Sequence, residues 1–149
     1  MSRSYEVGTR TYKVTGAVCG LFFIGCSIGA IYAQAYGPVV VFAIFVVMGA
    51  YLLLTSGSFE LSETSIEHKN AFGRFGMRWS DISQAEFGPQ GSIVLHGEDQ
   101  RLVVAPVSAW SGPDKAAAIE LLCTKLDAPK IESFASNWAD FKCHRNVRI

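Results

Sequence analysis

Three histidines, His68, His96 and His144, are the side chains of this 149-residue chain best suited to acid–base or metal chemistry. A histidine can transfer a proton or bind a metal ion when a second functional group lies beside it. No G-x-S-x-G, H-E-x-x-H, phosphate-binding-loop or dinucleotide-binding glycine motif accompanies them. His68 and His96 would form a metal-binding pair only if their strands were neighbours. We therefore predict no catalytic residue, no cofactor and no metal site, with an enzyme that uses His68 or His96 as an alternative.

Lys69, Arg74 and Arg78 surround a predicted turn that also contains Phe72 and Phe75. Cations next to exposed aromatic rings can contact anionic lipid headgroups. The alternative, which the sequence alone favours, is that both phenylalanines belong to the core and the cations are solvated. The three basic residues are the candidate contact with a lipid headgroup or a partner.

A charge-free run from Val14 to Phe59 dominates the chain, because it contains no Asp, Glu, Lys, Arg or His. A helix needs about 20 apolar residues to cross a bilayer, so this run is long enough for two spans. The cluster from Gln34 to Pro38 is polar and breaks helices. We predict a tail over residues 1–13, a transmembrane hairpin over 14–55 with spans 14–33 and 39–54, a soluble domain over 56–128 and a tail over 129–149.

Four glycines of the first span are spaced as two small-xxx-small pairs, a pattern that lets another helix approach closely. They are Gly16, Gly20, Gly25 and Gly29. We predict a helix-packing face here, with the second span as its natural partner. The alternative is that glycine is simply frequent in membrane helices.

Basic residues precede the hairpin, whereas its turn has none. Arg3, Arg10 and Lys13 therefore predict a cytoplasmic N-terminus by the positive-inside rule, and two spans return the C-terminus to the same side. Two other targeting signals compete with this prediction. Residues 33–35 form an A-x-A that could end a signal peptide, and residues 23–26 resemble a lipobox that would lipidate Cys26. The other cysteines, Cys19, Cys123 and Cys143, show no disulfide or C-x-x-C spacing.

Short apolar segments separated by turns follow the hairpin. Turns are predicted at residues 63–64, 71–76, 88–91 and 97–100, which leaves about six strands of an antiparallel sheet or barrel. Trp79 and Ile82 are the predicted core of a bend between strands. Ser111 and Asp114 have the form of a capping box for a helix. Its apolar stripe is predicted to consist of Ile119, Leu122, Cys123 and Leu126.

The last residues again show helical spacing of apolar side chains, followed by cations. The apolar positions are Ile131, Phe134, Ala135, Trp138 and Phe141, and the cations include Lys142, Arg145 and Arg148. An amphipathic helix of this kind could lie on anionic lipid or could pack on protein. Both alternatives remain open.

Three segments carry a resemblance to a known family: Phe59-Glu60-Leu61-Ser62, Ser65-Ile66-Glu67-His68 and Met77-Arg78-Trp79-Ser80-Asp81-Ile82. Together with two preceding spans and one later helix, they resemble bacterial membrane proteins that carry a pleckstrin-homology-like (PH-like) domain. The resemblance covers residues 55–128. It implies an α+β membrane protein, in which the transmembrane hairpin precedes a small antiparallel PH-like β-barrel or sandwich closed by an amphipathic helix over 112–128.

The resemblance also implies a function and a location. PH-like domains are generally binding modules, but phosphoinositide-binding members carry cations in the first loop, where this chain has Glu63 and Thr64. We predict a non-catalytic interaction module on the cytoplasmic face of a bacterial inner membrane. The alternative is an accessory or assembly subunit of a larger membrane complex, bound through the hairpin.

The expected partners follow from charge and hydrophobicity. Thirteen basic and thirteen acidic residues give a net charge of zero, so no global field attracts nucleic acid. We predict that the partners are the lipid bilayer and another membrane protein or a second copy of the chain, and that nucleic acid is not one.

Overall fold

The chain divides into two units. A helical unit comprises residues 10–56, and a β unit comprises residues 1–9 and 57–149. The structure is a computed structural model and describes residues 4–88, 91–128, 131–135 and 145–146. The helical unit is therefore inserted, in sequence, between the first strand of the β unit and the rest of that unit.

The helical unit consists of α1 (Arg10–Tyr32) and α2 (Tyr36–Thr55). Gln34 adopts a positive φ of 55° in the short turn between them. Pro38 lies in the first turn of α2, where its missing N–H group leaves no helical hydrogen bond unmade. Both helices are long and apolar enough to cross a membrane. The two predicted spans thus correspond to two helices, with α1 beginning earlier than expected, at Arg10.

Contact between α1 and α2 depends on glycine at one level and on aromatic rings at another. A Cβ atom added to Gly16 would lie 2.8 Å from the carbonyl oxygen of Gly49, and one added to Gly49 would lie 2.9 Å from the backbone nitrogen of Gly20. Phe23 stacks on Phe45 with a centroid separation of 4.5 Å. The two backbones therefore approach most closely where side chains are missing.

The first sheet of the β unit has four antiparallel strands in the order β1-β2-β3-β4. They are β1 (Ser4–Gly8), β2 (Ser58–Ser62), β3 (Ser65–Asn70) and β4 (Gly73–Arg78). Alternate residues point into the core, among them Val7, Phe59 and Ile66, which are buried. The segment that we expected to be an N-terminal tail thus contains a strand of the sheet, because Tyr5 and Val7 pair with apolar residues of β2 and share their core-facing side.

The second sheet has the strand order β8-β5-β6-β7-β9. Its strands are β5 (Gln84–Phe87), β6 (Ile93–His96), β7 (Gln100–Val104), β8 (Glu132–Ala135) and β9 (Arg145–Asn146). β8 pairs with β5 and β9 pairs with β7 in parallel, while the central pairs are antiparallel. Among the described residues, the two sheets are not closed into a barrel. The expectation was a barrel or a sandwich, and the described residues form two sheets with a common core.

Helix α3 (Lys115–Leu126) covers the core, and Leu122 and Leu126 of the predicted stripe are buried as expected. Its buried residues are Ala118, Leu121, Leu122 and Leu126. Ile119 is half-buried and Cys123 is exposed, so the buried face is rotated by about one residue position. The capping-box prediction was wrong, because the Ser111 hydroxyl donates to the Gly8 carbonyl and the side chain of Asp114 makes no capping bond.

The bend between β4 and β5 agrees with the sequence. Trp79 and Ile82 are both buried, as predicted, and the Trp79 indole N–H donates to the Ser62 carbonyl. The predicted C-terminal helix is not observed where the structure describes this segment, since residues 132–135 form strand β8 along the edge of β5. Four residues on which that helix also depended lie outside the described part: Trp138, Phe141, Lys142 and Arg148.

Candidate functional site

One row of residues crosses the outer face of the first sheet at the end from which the chain leaves for α1 and returns from α2. Cross-strand register aligns Gly8 with Ser58, Ser58 with Lys69, and Lys69 with Arg74. Residues that are paired across strands share a face, so the side chains of Lys69 and Arg74 are neighbours. We call these four residues the proximal row.

The next row on the same face is acidic. Glu6 pairs with Glu60, and Glu60 pairs with Glu67. Lys69 of the proximal row forms an ion pair with Glu60. The hydrogen bond from Lys69 in this ion pair lowers the pKa of Glu60, although partial burial acts to raise it. The positive charge of Arg74 also acts to lower this pKa. The outer face is therefore basic at the proximal end and acidic one step away from it.

Arg78 lies at the other end of β4, away from Lys69 and Arg74. Arg78 is four positions farther along the extended strand than Arg74, a distance of about 13 Å. Arg78 forms an exposed ion pair with Asp81, with an Nε to Oδ2 distance of 3.1 Å. The structure thus brings together two of the three predicted basic residues and places the third at the opposite end of the strand.

The two phenylalanines near these cations have different surroundings. Phe75 is half-buried and packs against the core. Phe72 lies in the turn between β3 and β4 and is 48% exposed. The Asn70 side-chain oxygen accepts a hydrogen bond from the Phe72 N–H, and Gly73 adopts a positive φ of 135°. The turn therefore has a defined backbone and presents one aromatic ring to its surroundings.

A buried clasp that the sequence analysis missed joins the two ends of the hairpin insertion within the β unit. The Thr9 hydroxyl donates to the Gly57 carbonyl at 3.0 Å and accepts from the Gly57 N–H at 3.0 Å. The Thr9 backbone N–H also donates to that carbonyl at 3.0 Å. A side chain at position 57 would collide with the Lys69 carbonyl oxygen, so only glycine fits there. The available signal was a threonine and a glycine that flank the helical insertion.

The alternative of a metal-binding histidine pair required neighbouring strands, and His68 and His96 lie in different sheets. His68 lies on β3 in the first sheet and stacks on Phe59 with a centroid separation of 4.3 Å, and burial lowers its pKa. His96 lies on β6 in the second sheet, where its Nε2 atom is 2.9 Å from the Glu86 carboxylate. No group of three or more potential metal ligands is found in the described residues. Cys143 and His144 lie outside those residues.

The four glycines of the predicted packing face have unequal surroundings. Gly16 contacts Gly49 of α2, as described above. A Cβ atom added to Gly20, Gly25 or Gly29 would meet nothing within 4 Å. The face therefore serves the α1–α2 contact at Gly16 and at Gly20, whose backbone lies against Gly49, and it stays open at Gly25 and Gly29.

A functional assignment for this chain rests on the arrangement of its described residues. Two long apolar helices, a clasp at their chain ends and a basic row beside an exposed phenylalanine are the features that the described residues provide. Comparisons of the chain with protein-family models, with curated proteins and with solved structures find no match.

Proposed function

We propose that this chain is a non-catalytic interaction module, anchored in the bacterial inner membrane by α1 and α2, with its β unit on the cytoplasmic face. The observation that carries the proposal is the exposed apolar surface of the two helices. Leu21 is 71% exposed and Ile44 is 63% exposed, while Gly16 and Gly49 are the buried residues of their helices. Apolar surface costs roughly 25 cal/mol per Å² in water, and a bilayer removes this cost.

The amino-acid composition of α2 also supports a bilayer as the environment of this helix. Val39, Val40 and Val41 follow one another in this helix, and Val46 and Val47 do so about two turns after Val39. β-branched residues are poor helix formers in water. In a bilayer every backbone N–H and C=O group must be bonded internally, which favours a helix in spite of this low propensity.

Strand pairing in the β unit supports a hairpin that crosses twice. β1 precedes α1 and β2 follows α2, and the two strands are paired along their length. The two chain connections to the helices therefore lie side by side, as an even number of crossings requires. Short antiparallel strands followed by one packed helix support a PH-like binding role for the β unit, since such domains generally bind lipids, peptides or proteins.

A charge placed in the exposed middle of either helix tests the anchor. Arginine at the centre of a span costs about 2.5 to 3.5 kcal/mol on insertion scales. We expect the native chain to stay in the membrane fraction after alkaline carbonate extraction, and the double variant Leu21→Arg with Ile44→Arg to be released or degraded. Gln34→Arg, in the turn, is the matched control and should behave as the native chain does. A native chain that carbonate extracts would refute the anchor.

The second candidate function is an accessory subunit that binds a larger membrane complex through the hairpin. The open space beside Gly25 and Gly29 favours it, because another helix could approach α1 there. In this case a complex of fixed stoichiometry should co-purify in gentle detergent, and Gly25→Leu with Gly29→Leu should release it. Under the first function, these substitutions leave any partner of the β unit bound.

A further inference from the structure

We propose that the β3–β4 turn is a second membrane contact, in which Phe72 enters the interface of an anionic bilayer and Arg74 and Lys69 bind its phosphate headgroups. This inference rests on the proposed function, since it requires the hairpin to lie in a bilayer. The occupant to which we commit is a lipid surface. An acidic protein surface is the competing occupant, which the test distinguishes.

Strand register shows at which end of the first sheet this turn lies. The proximal row runs from Gly8 through Ser58 and Lys69 to Arg74, so one end of the sheet contains both chain connections and the base of the turn. Neighbouring strands are about 4.8 Å apart, which places Arg74 within about 10 Å of Ser58 across the sheet. The Thr9–Gly57 clasp fixes the two connections at this end.

The chemistry of the turn matches a lipid interface. Phe72, in the turn, is half-exposed and lies near an exposed Arg74. Phe75, on β4, packs against the core instead. Aromatic rings are stable at the boundary between headgroups and acyl chains, where cations can reach the phosphates. The Asn70 bond to the Phe72 N–H holds the backbone of the turn in place, so little ordering is needed on binding.

Charge along the sheet favours contact at this end only. The acidic row of Glu6, Glu60 and Glu67 lies one step away from the proximal row. An anionic surface attracts the proximal row and repels the acidic row, which prevents the outer face from lying flat on the membrane. Lys69 is already paired with Glu60, so the attraction depends mainly on Arg74.

Tryptophan substitution in the full-length protein, reconstituted in nanodiscs with brominated phospholipids, tests the contact. Phe72→Trp reports on the β3–β4 turn, and Thr64→Trp reports on the exposed β2–β3 turn at the opposite end of the same sheet. Leu21→Trp reports separately on α1. Quenching is measured relative to the native chain, with anionic and with zwitterionic lipids.

We expect strong quenching of Leu21→Trp, strong quenching of Phe72→Trp in anionic nanodiscs, and none of Thr64→Trp beyond the native level. Adding Arg74→Glu to Phe72→Trp should lower the equilibrium constant for contact between the turn and the lipid by about fivefold or more. This is the contribution of one basic residue at an anionic surface. Arg78→Glu, at the far end of β4, should not.

Three other outcomes would each refute a different part of the proposal. If Leu21→Trp is quenched and Phe72→Trp is not, the anchor stands and the second contact is refuted, which leaves an acidic protein surface as the occupant. Equal quenching of Phe72→Trp in both lipids refutes the role of anionic headgroups. If Leu21→Trp is not quenched, the proposed function fails, and this inference fails with it.

Discussion

Thr9 and Gly57 are small residues that hold the base of the helical insertion through backbone bonds. Thr9 is 2% exposed, and its hydroxyl both donates to and accepts from the Gly57 backbone. Replacing Thr9 with valine keeps the side-chain shape and leaves the Gly57 N–H without its acceptor. We expect a loss of about 1 to 3 kcal/mol in the free energy of unfolding, measured in micelles through the buried Trp79 and Trp110. Thr9→Ser keeps the hydroxyl and should lose clearly less, and equal losses would contradict the clasp.

His68 makes the stability of the β unit depend on pH. Burial lowers its pKa below the ordinary value of 6.5, so the unfolded chain takes up a proton more readily than the folded one. This part of the stability is complete above pH 6.5 and is lost as the pH falls from there toward the lowered folded pKa.

His68→Phe removes the titrating group and retains an aromatic ring against Phe59. We expect its free energy of unfolding to fall less than that of the native chain between about pH 7.5 and about pH 5. Parallel pH profiles for the two proteins would show that His68 does not contribute.

At the scale of elements, long periodic features were predictable and short edge strands were not. The charge-free run predicted α1 and α2 because a long apolar run without charged residues is easily recognised from length and composition. β1 was missed because five residues with one fully buried side chain show little pattern before β2 pairs with them. A helix was predicted in place of β8 from the spacing of a few apolar residues. This segment forms a strand instead, because the edge of β5 offers backbone hydrogen-bond partners.

Helix α3 offers a direct test of which face packs on the core. Leu122 is 1% exposed, whereas its neighbour Cys123 is exposed. Leu122→Ala should lower the free energy of unfolding by about 2 to 5 kcal/mol, because it removes buried methyl groups and leaves a cavity. Cys123→Ala, measured in the same way, should change it by less than about 0.5 kcal/mol. Similar effects of the two substitutions would mean that α3 packs by a different face.

At the scale of the whole molecule, the chain order explains why the candidate site could be only half predicted. The sequence grouped Lys69 and Arg74 as candidate contacts but favoured a core position for Phe72, which is 48% exposed, and it did not show that β1 pairs with β2. That pairing places the two connections to the helices at the same end of the sheet as the β3–β4 turn. Local spacing contains no information about such long-range register, and it grouped Arg78 with residues from which the strand separates it.

The charges at the ends of the hairpin predict the side of the membrane on which the β unit would lie. Arg10 and Lys13 stand in the first turns of α1, whereas the turn at Gln34 carries no charge. The positive-inside rule therefore predicts that β1 and the rest of the β unit stay in the cytoplasm and that Gln34 is exposed on the opposite side.

Labelling of single cysteines on intact cells with a membrane-impermeant maleimide measures this orientation. In a background without the other native cysteines, Gln34→Cys should react on intact cells, and the exposed native Cys123 should react only after the membrane is permeabilised. Gln34→Lys with Ala35→Lys, combined with Arg10→Gln and Lys13→Gln, should shift Cys123 toward labelling on intact cells, because it moves the positive charge to the turn. Labelling of Cys123 but not of Gln34→Cys on intact cells would mean that the native orientation is reversed. Labelling of both would mean that the hairpin does not cross the membrane, since two crossings place its turn and its ends on opposite sides.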